Sequence, residues 1–411
     1  MATSPLRGKE NVMEIDVEKL SYGWIYKRCH LKRFTFLWCL VLALRAPVTQ
    51  GQFPPPSLST NPFLLGVPVD LFIPQEPKAF KGTDHRFHLA YELHISNFSK
   101  TDLLLEELEV LDSTGDKVIV SYKNKDLERN LQHKAGRPGN RNLPAGKRAV
   151  VFIWLDFDGA DVLQNLRHRL RVSAPAFPRF GLQTVVGGPT RVSGEARMIG
   201  PPLRGGPWWA ANGPSNNSGH RRTLIAVDGK ARIPERFATD WAREENGDLF
   251  KGDSSKNSSY YGYGADVLAV SDGTVVSVLD DLLENVPESE TRAVPMNLKS
   301  MGGNFIILDI GQQQFAFYAH LQPHSARVKL GDHVVRGQVL ALVGNSGNAT
   351  GPHLHFQLSD ANSELGTEGL PFVIDLLELV GKVSGDDFKP LAYPEREERV
   401  LPLEDDVVRF P

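Results

Sequence analysis

The residues with the clearest chemical potential are two histidines in the segment His353-Leu354-His355-Phe356. On an extended strand, residues two apart point to the same face, so both imidazoles project together while Leu354 and Phe356 enter the opposite face. Two imidazoles on one face suit a metal ligand with a neighbouring proton carrier. The motif alone is a weak signal, because many surface strands carry it by chance.

The segments around this motif make the signal more specific. The strand-like segment Phe317–Leu321 contains His320, a glycine-rich stretch follows at 328–347, and the segment Gly264–Val275 lies upstream. In this order, residues 236–358 closely resemble the lysostaphin-type metallopeptidases, bacterial endopeptidases that cut peptide bonds in peptidoglycan. The resemblance does not extend to the rest of the chain.

The resemblance implies one zinc ion, held by the His and Asp of a His-x-x-x-Asp motif and by the second His of His-x-His. Carried over by position, Asp240 and His355 become zinc ligands, and His320 and His353 become the catalytic imidazoles. Three protein ligands leave a fourth position for water, whose pKa zinc lowers to about 7. A neutral imidazole can accept a proton, and a charged one can stabilise an oxyanion.

One ligand position departs from the family pattern, because Arg236 stands where the family has the first His of His-x-x-x-Asp. A guanidinium stays protonated and has no lone pair to give, so Arg236 cannot bind zinc, and its charge would oppose a nearby metal ion. This substitution favours a second function beside the enzyme. The chain would then be a metal-free, degenerate relative that binds cell wall or activates a partner hydrolase.

His220 is the candidate for the missing ligand. It begins a segment that we expect to pair with the following segment across the turn Asp228-Gly229. A two-residue turn would place His220 opposite Phe237, whereas a three-residue loop would place it opposite Ala238, on the face of Asp240. The alternative is a solvent-exposed histidine at the end of a hairpin, and the sequence leaves both open.

Short strands separated by turns must position these residues. From 220 to 383 we predict an almost all-β domain of hairpins, with turns at Asp228-Gly229, at 271–273 and at Gly311. Residues 63–200 carry about seven strand signals, which predict an immunoglobulin-like β-sandwich. The predicted fold class is therefore all-β. The resemblance implies that the sandwich is followed by a lysostaphin-type antiparallel sheet, a barrel-sandwich hybrid.

Histidines in the predicted sandwich offer a second place to look for a metal site. His88, Glu92 and His94 share one face of a predicted strand. At about 3.3 Å per residue, the two histidines lie roughly 20 Å apart, so one ion cannot join them. We therefore expect His88 and His94 to be surface residues of the strand.

The first residues predict a leader, over 1–52. Four basic residues, Lys27, Arg28, Lys32 and Arg33, precede an apolar run at 34–44. This arrangement is typical of a signal peptide, with an uncleaved membrane anchor as the alternative. Both cysteines, Cys29 and Cys39, lie in this leader, so the mature chain would have no disulfide. Export to the periplasm or the extracellular space is the expectation.

Proline- and glycine-rich stretches predict linkers at 53–62 and 201–219. Residues 384–411 are rich in proline and charge, and we expect a surface tail laid back through three apolar residues, Leu401, Val407 and Phe410.

The composition fits an exported globular protein and argues against two other classes. Hydrophobic residues make up 41% and charged residues 23%, and the net charge of −3 gives no sign of a nucleic-acid binder. The stretch 331–340 is similar to lipoyl- and biotin-carrier modules, but the lysine that such a carrier needs at a hairpin tip is missing. The expected partner is a peptidoglycan peptide or another peptide, with membrane contact only through an uncleaved leader.

Overall fold

A computed structural model describes residues 66–114, 117–134, 137–159, 163–385 and 387–411. The predicted leader 1–52 and linker 53–62 lie outside the described residues. Within the described ranges, strands dominate, and the helices are α1 (Asn124–Asn130) and two 3-10 turns, Pro178–Phe180 and Asn257–Ser259. The all-β fold class is thus confirmed. No helix of these ranges is long and apolar enough to cross a membrane.

Two sheets with an apolar core between them form the N-terminal part. The strands are β1 (Val69–Phe72), β2 (Phe80–Lys81), β3 (Phe87–Asn97), β4 (Leu103–Asp112), β5 (Val118–Lys123), β6 (Leu131–Lys134), β7 (Arg137–Pro138), β8 (Asn142–Leu143), β9 (Arg148–Phe157), β10 (Asn165–Ser173), β11 (Gln183–Val186) and β12 (Thr190–Arg191). One sheet has the order β1-β3-β9-β6-β7 with β2 beside β3, and the other has the order β11-β10-β4-β5 with β12 beside β10 and β8 beside β4.

The core of this sandwich follows from the period of its strands. Strand β10 alternates between half-buried and buried positions, so Leu166, Leu170 and Val172 all point between the sheets. Leu89 and Leu93 of β3 meet them from the facing sheet. The two packed sheets were expected, and the immunoglobulin-like topology stays a prediction.

Strand β3 is buried on both faces, because the C-terminal part of the chain covers its outer face. His88 and His94 are therefore only 2% and 3% exposed, and the expectation of surface histidines was wrong. The indole Nε1 of Trp154 donates a hydrogen bond to Nδ1 of His88 at 3.0 Å. Phe80 packs at the same junction against Phe237, with ring centroids 5.5 Å apart.

A twelve-stranded sheet forms most of the C-terminal part. The strands that follow β12 are β13 (Arg197–Ile199), β14 (Gly205–Ala211), β15 (Ile225–Val227), β16 (Lys230–Arg232), β17 (Thr239–Arg243), β18 (Asp266–Leu268), β19 (Gly273–Leu279), β20 (Asn304–Asp309), β21 (Phe315–Leu321), β22 (His333–Val334), β23 (Val339–Leu342), β24 (Leu354–Ser359), β25 (Gly369–Leu370), β26 (Phe372–Ser384), β27 (Asp387–Val400) and β28 (Asp406–Phe410).

The order in this sheet is β13-β26-β28-β14-β17-β24-β21-β20-β19-β22, with β27 beside β26 and β25 beside β24. The described strands of this sheet do not close into a barrel. Two separate pairs, β15 with β16 and β18 with β23, complete the strand pairing of the described residues.

Two of the three predicted hairpins are present, and the third is wrong. Val227 pairs with Lys230 across Asp228-Gly229, and β20 pairs with β21 around Gly311. Strands β18 and β19, expected to pair across residues 271–273, instead pair with β23 and with β20 and β22. The connection between them takes Ala269 and Val270 into the core, so the two strands enter different pairs.

Residues predicted to be a linker and a tail are strands of the large sheet. Strand β14 lies within the stretch 201–219, and β27 and β28 lie within the stretch 384–411. Leu401, Val407 and Phe410 are buried as expected, and β27 lies largely at the surface, but these residues form paired strands where a tail was predicted. Strand β28 is buried at four of its five positions. This burial is expected for a strand that lies between two others, β26 and β14, and not for a surface tail.

Candidate active site

The candidate site lies where strands β17, β24 and β21 run side by side. Asp240 pairs directly with His355, and His355 pairs with Ala319. Directly paired residues of antiparallel strands point to the same face, so this register sets the Asp240 carboxylate beside the His355 imidazole. Nδ1 of His355 lies 3.0 Å from Oδ1 of Asp240. His353 stands two residues before His355 and reaches the same carboxylate, with Nε2 3.5 Å from Oδ1.

His320 joins this face through an irregularity of its strand. As the neighbour of Ala319, a histidine on a regular strand would point to the opposite face. The backbone φ of His320 is +63°, in the left-handed region, and the pairing of β20 with β21 is shifted near it. The His320 ring centroid consequently lies 4.8 Å from that of His353 and 5.8 Å from that of His355.

His220 reaches the site by a turn and not by the predicted hairpin strand. The hairpin strand β15 begins only at Ile225, whereas His220 lies in a turn that follows β14. Nδ1 of His220 lies 3.0 Å from the backbone oxygen of Asn212, just beyond the strand that pairs with β17. Nε2 then lies 3.3 Å from Oδ2 of Asp240, and the ring centroid lies 4.9 Å from that of His355. The structure therefore brings His220 to the site by another route.

Each of the four imidazoles has one ring nitrogen within hydrogen-bond distance of an oxygen atom. The pairs are His220 Nδ1 with Asn212 O at 3.0 Å, His320 Nδ1 with Ser346 O at 2.9 Å, His353 Nδ1 with Gly351 O at 2.8 Å, and His355 Nε2 with Gln357 Oε1 at 3.0 Å. A carbonyl oxygen only accepts, so each of these nitrogens is the N–H donor. The other nitrogen of each ring is left to accept a proton or bind a metal ion.

Three of those remaining nitrogens converge on Asp240, at 3.0 to 3.5 Å from its carboxylate oxygens. An ionised carboxylate can only accept hydrogen bonds. If the imidazoles were neutral, the lone pairs of these three nitrogens would face the lone pairs of the carboxylate oxygens, which is unfavourable. The arrangement needs positive charge, supplied by protons on the imidazoles or by a metal cation. Metal-binding histidines commonly donate their second N–H to a carbonyl or carboxylate oxygen, as these do.

The pKa values follow from the same geometry. Burial alone would lower the pKa of His220, but the charge of Asp240 outweighs it and raises that pKa to about 9. The balance is similar at His353: burial alone would lower its pKa, but the charge of Asp240 outweighs burial and raises it. Burial opposes ionisation of Asp240, but His220 and His353 hold its pKa well below the usual range. Burial, together with His353 and His355, holds the pKa of His320 well below its ordinary value.

A zinc ion fits the residues present. His220, Asp240 and His355 each offer one ligand atom, and these three atoms lie within 4.8 Å of one another. Two imidazole nitrogens and one carboxylate oxygen are a donor set that catalytic zinc uses, with a position left for water. In the described part of the chain, the ligand atoms of His85, Glu395 and Glu397 also lie within 4.8 Å of one another, but His85 and Glu395 are exposed.

Arg236 does not face the candidate metal site. Its side chain is 2% exposed, and its guanidinium contacts Glu92 at 2.8 Å, Glu368 at 2.6 Å and the backbone oxygen of Gly369 at 2.9 Å. Two carboxylates thus neutralise its charge. The expectation that this charge would oppose a metal ion assumed an orientation that the side chain does not have.

Sequence reasoning missed three residues of the site. Gln357 lies two residues after His355 on the same face of β24, so strand alternation could have found it. Ser346 contributes only a backbone oxygen, which no residue type signals. Asn212 donates from Nδ2 to Oδ2 of Asp240 at 2.9 Å and holds His220 through its backbone oxygen.

A cavity of about 360 Å³ lies along the same face of the sheet. Gln357 pairs with Phe317, and Phe317 pairs with Ile307, so this face continues from His355 to the wall of the cavity. The lining includes apolar side chains and two charged ones, Lys299 and Glu364. Burial raises the pKa of Glu364 to about 8.

Comparisons with known proteins match the part of the chain that carries three of the site histidines. Residues 259–366 match the family model of Peptidase family M23. The chain resembles the lysostaphin-type metallopeptidases, as its motifs predicted. The matched M23 stretch contains His320, His353 and His355 but does not reach Asp240 or His220.

Two curated relatives match parts of the chain. The peptidoglycan DD-endopeptidase ShyA of Vibrio cholerae is 43% identical over 56 residues, which are 14% of this chain and 13% of that protein. An uncharacterised metalloprotease of Haemophilus influenzae is 34% identical over 90 residues, which are 22% of this chain and 17% of that protein. The chain therefore spans less than a fifth of the length of either relative.

Solved structures of M23 proteins are also similar. The catalytic domain of the prophage-encoded M23 protein EnpA from Enterococcus faecalis is 19% identical, covers 42% of this chain and 91% of that chain, and has a TM-score of 0.23. The catalytic domain of lysostaphin from Staphylococcus simulans is 22% identical, covers 41% and 88%, and has a TM-score of 0.21.

Proposed function

We propose that this chain is an exported zinc metalloendopeptidase that hydrolyses peptide bonds in peptidoglycan. The observation that carries the proposal is the convergence of three imidazole nitrogens on the carboxylate of Asp240. The similarity to Peptidase family M23 and to a peptidoglycan DD-endopeptidase supports the reaction and the substrate class. His220, Asp240 and His355 would hold the zinc ion, and His320 and His353 would act on the substrate.

Zinc bound by these residues would polarise the scissile carbonyl and lower the pKa of water. The chain's own residues supply proton transfer. His320 stays neutral near pH 7, because its pKa is held low, and its Nδ1–H is committed to Ser346. Nε2 of His320 is therefore the nitrogen that can accept a proton, as a general base does.

His353 is suited to the opposite role. Its Nδ1–H is committed to the backbone oxygen of Gly351, so Nε2 is the nitrogen that would carry a transferable proton. A protonated Nε2 can donate to a developing oxyanion or to the leaving amine. Two neighbouring imidazoles, each with Nδ1 committed to a backbone oxygen, can divide acid and base work between their Nε2 atoms. The adjoining cavity, with its apolar wall, would receive a side chain of the peptide.

The metal-free relative remains the second candidate, and Arg236 is the observation that favours it. Its weight is reduced by the position of His220, which offers a nitrogen in place of the missing family ligand. One experiment separates the two. Purified protein lacking the leader should contain about one zinc per chain and release peptides from peptidoglycan. His355→Ala should lose both, because it removes a ligand.

A matched control for this experiment is His333→Ala, since His333 is exposed and bonds only to Thr274 among the described side chains. This variant should keep the zinc and the activity. A metal-free wild-type protein that binds peptidoglycan without cutting it would establish the second candidate instead.

A further inference from the structure

The turn that carries His220 contacts the sandwich as well as Asn212, which follows strand β14 of the large sheet. Arg221, the next residue, is fully buried and donates from Nη2 to the backbone oxygens of Tyr91 and Ile153 at 3.1 and 3.0 Å. These oxygens belong to β3 and β9 of the sandwich. Its Nη2 also lies 3.2 Å from Oε1 of Glu92.

Arg222 strengthens the same attachment. Its guanidinium lies 4.2 Å from the ring centroid of Phe152 in β9, and Nη2 donates to the backbone oxygen of Arg129 at 3.0 Å. Asn216, at the start of the turn, donates to the backbone oxygen of Phe152 at 3.0 Å. The sandwich thus holds the turn at Asn216, Arg221 and Arg222, while Asn212 holds His220 itself from the other side.

Glu92 connects this turn with the segment that leads to Asp240. Its Oε1 faces Arg221, and its Oε2 lies 2.8 Å from Nε of Arg236, four residues before Asp240. The Glu92 side chain is 1% exposed, and the two arginines are 0% and 2% exposed. A buried carboxylate between two buried guanidiniums stabilises both. Without Glu92, Arg221 would lose its carboxylate partner among the described residues, and Arg236 would keep only Glu368.

We propose that the β-sandwich completes the metal site, with Glu92 and Arg221 as positioning residues that hold His220 against Asp240. The inference rests on the zinc site of the proposed function and deepens it. Arg236 then has a definite role. It stands at the family's ligand position, but its side chain binds Glu92, the carboxylate that holds the replacing ligand His220. The sandwich is a part of the active site and not only a neighbour of it.

A double-mutant cycle on zinc affinity tests this inference. Competition with a chelator gives the zinc Kd of the full chain and of three variants: His220→Ala, Glu92→Gln and the double variant. We expect Glu92→Gln to weaken zinc binding about 10- to 100-fold, as loss of a residue that orients a ligand does. If Glu92 acts through His220, the double variant binds zinc as weakly as His220→Ala alone.

The control is Glu109→Gln, in the other sheet of the sandwich. Glu109 is also a buried carboxylate, with an ion pair to Arg169 at 2.6 Å, but that sheet does not carry the turn. Its zinc Kd should stay within about twofold of wild type. Should Glu92→Gln fail to fold, Arg221→Lys takes its place in the cycle, because lysine keeps the charge but cannot reproduce the forked contacts of arginine.

The outcomes are distinguishable. A zinc Kd of Glu92→Gln (or Arg221→Lys) within about twofold of wild type overturns the inference, and so do losses that multiply in the double variant. A wild-type chain that binds no zinc refutes the proposed function on which the inference rests. A metal-binding wild type with additive variants refutes the inference alone.

Discussion

Nε2 of His220 lies 3.3 Å from Oδ2 of Asp240, although the sequence motif that contains Asp240 has an arginine where a histidine was expected. The candidate ligand set therefore draws on a residue outside that motif. Arg236 itself turns to Glu92 and Glu368. A missing ligand in a motif is thus a poor reason to exclude a metal site when another part of the chain can reach it.

Replacing either proposed catalytic imidazole should separate chemistry from metal binding. We expect His320→Ala and His353→Ala each to lower kcat about 10²- to 10⁴-fold, the usual contribution of a positioned acid or base. Both should keep about one zinc per chain, because neither residue belongs to the proposed ligand set. Peptide release and metal content measure the two effects. Loss of zinc from either variant would assign that residue to the ligands.

Replacing Arg236 with the family's histidine should destabilise the protein without improving zinc binding. Arg236→His leaves Glu92 and Glu368 buried with less compensation, so we expect the free energy of unfolding to fall by about 3–5 kcal/mol. Zinc affinity should not improve, because the side chain points to these carboxylates. Urea unfolding and zinc titration provide the measurements. Arg232→His is the control, since its ion pair with Asp360 is longer, at 4.0 Å, and part-exposed. Tighter zinc binding in Arg236→His would contradict the assigned orientation.

Gly347 should be intolerant of a side chain. Its φ is +70°, and a Cβ there would lie 2.2 Å from the backbone nitrogen of Gly303. The preceding residue, Ser346, holds His320 through its backbone oxygen, so a shift of this loop should misplace the proposed base. We expect Gly347→Ala to lower both kcat and the unfolding temperature. Gly331→Ala is the matched control, because Gly331 has a φ of +88° and a Cβ there would meet no atom of the described residues within 4 Å. It should cost stability only, and equal kcat losses in both would contradict the role of Ser346.

His94 should make the protein less stable in mild acid. Burial lowers its pKa to about 4, from 6.5. Below pH 6.5 the unfolded chain binds a proton that the folded chain refuses, so stability falls between pH 6.5 and pH 4, by up to about 3 kcal/mol. Neither ring nitrogen has a hydrogen-bond partner among the described residues, so His94→Leu leaves none of their polar groups unpaired. Urea unfolding at pH 8, 6 and 4.5 should show a weaker pH dependence in this variant. An unchanged dependence would exclude His94 as its source. Burial likewise lowers the pKa of His168 to about 4, and this histidine remains in the variant.

The sequence predicted those parts of the site that a strand repeat or a motif encodes. His353 and His355 share a face because alternation requires it, and His320 and Asp240 followed from the resemblance. The strand register that joins Asp240 to His355 bears out their proximity. The hairpin across Asp228-Gly229 was predictable from its turn residues alone.

The rest depends on contacts between distant parts of the chain. Glu92 and Arg236 are 144 residues apart in sequence, so no local pattern could show that they pair. For the same reason His88 and His94 were expected on the surface, since nothing in β3 tells what covers its outer face. The route of His220 depends on where β15 begins and on a backbone oxygen of Asn212.

The place of strand β28 sets an order for folding. It lies between β14 and β26, and β14 in turn flanks β17, the strand of Asp240. During synthesis the sandwich core, made by residues 89–174, can form early, whereas β14 waits with an open edge for residues 406–410. Such distant pairing is slow to form, and an unpaired edge can capture other chains. The same order keeps the candidate active site unfinished until most of the chain has been made.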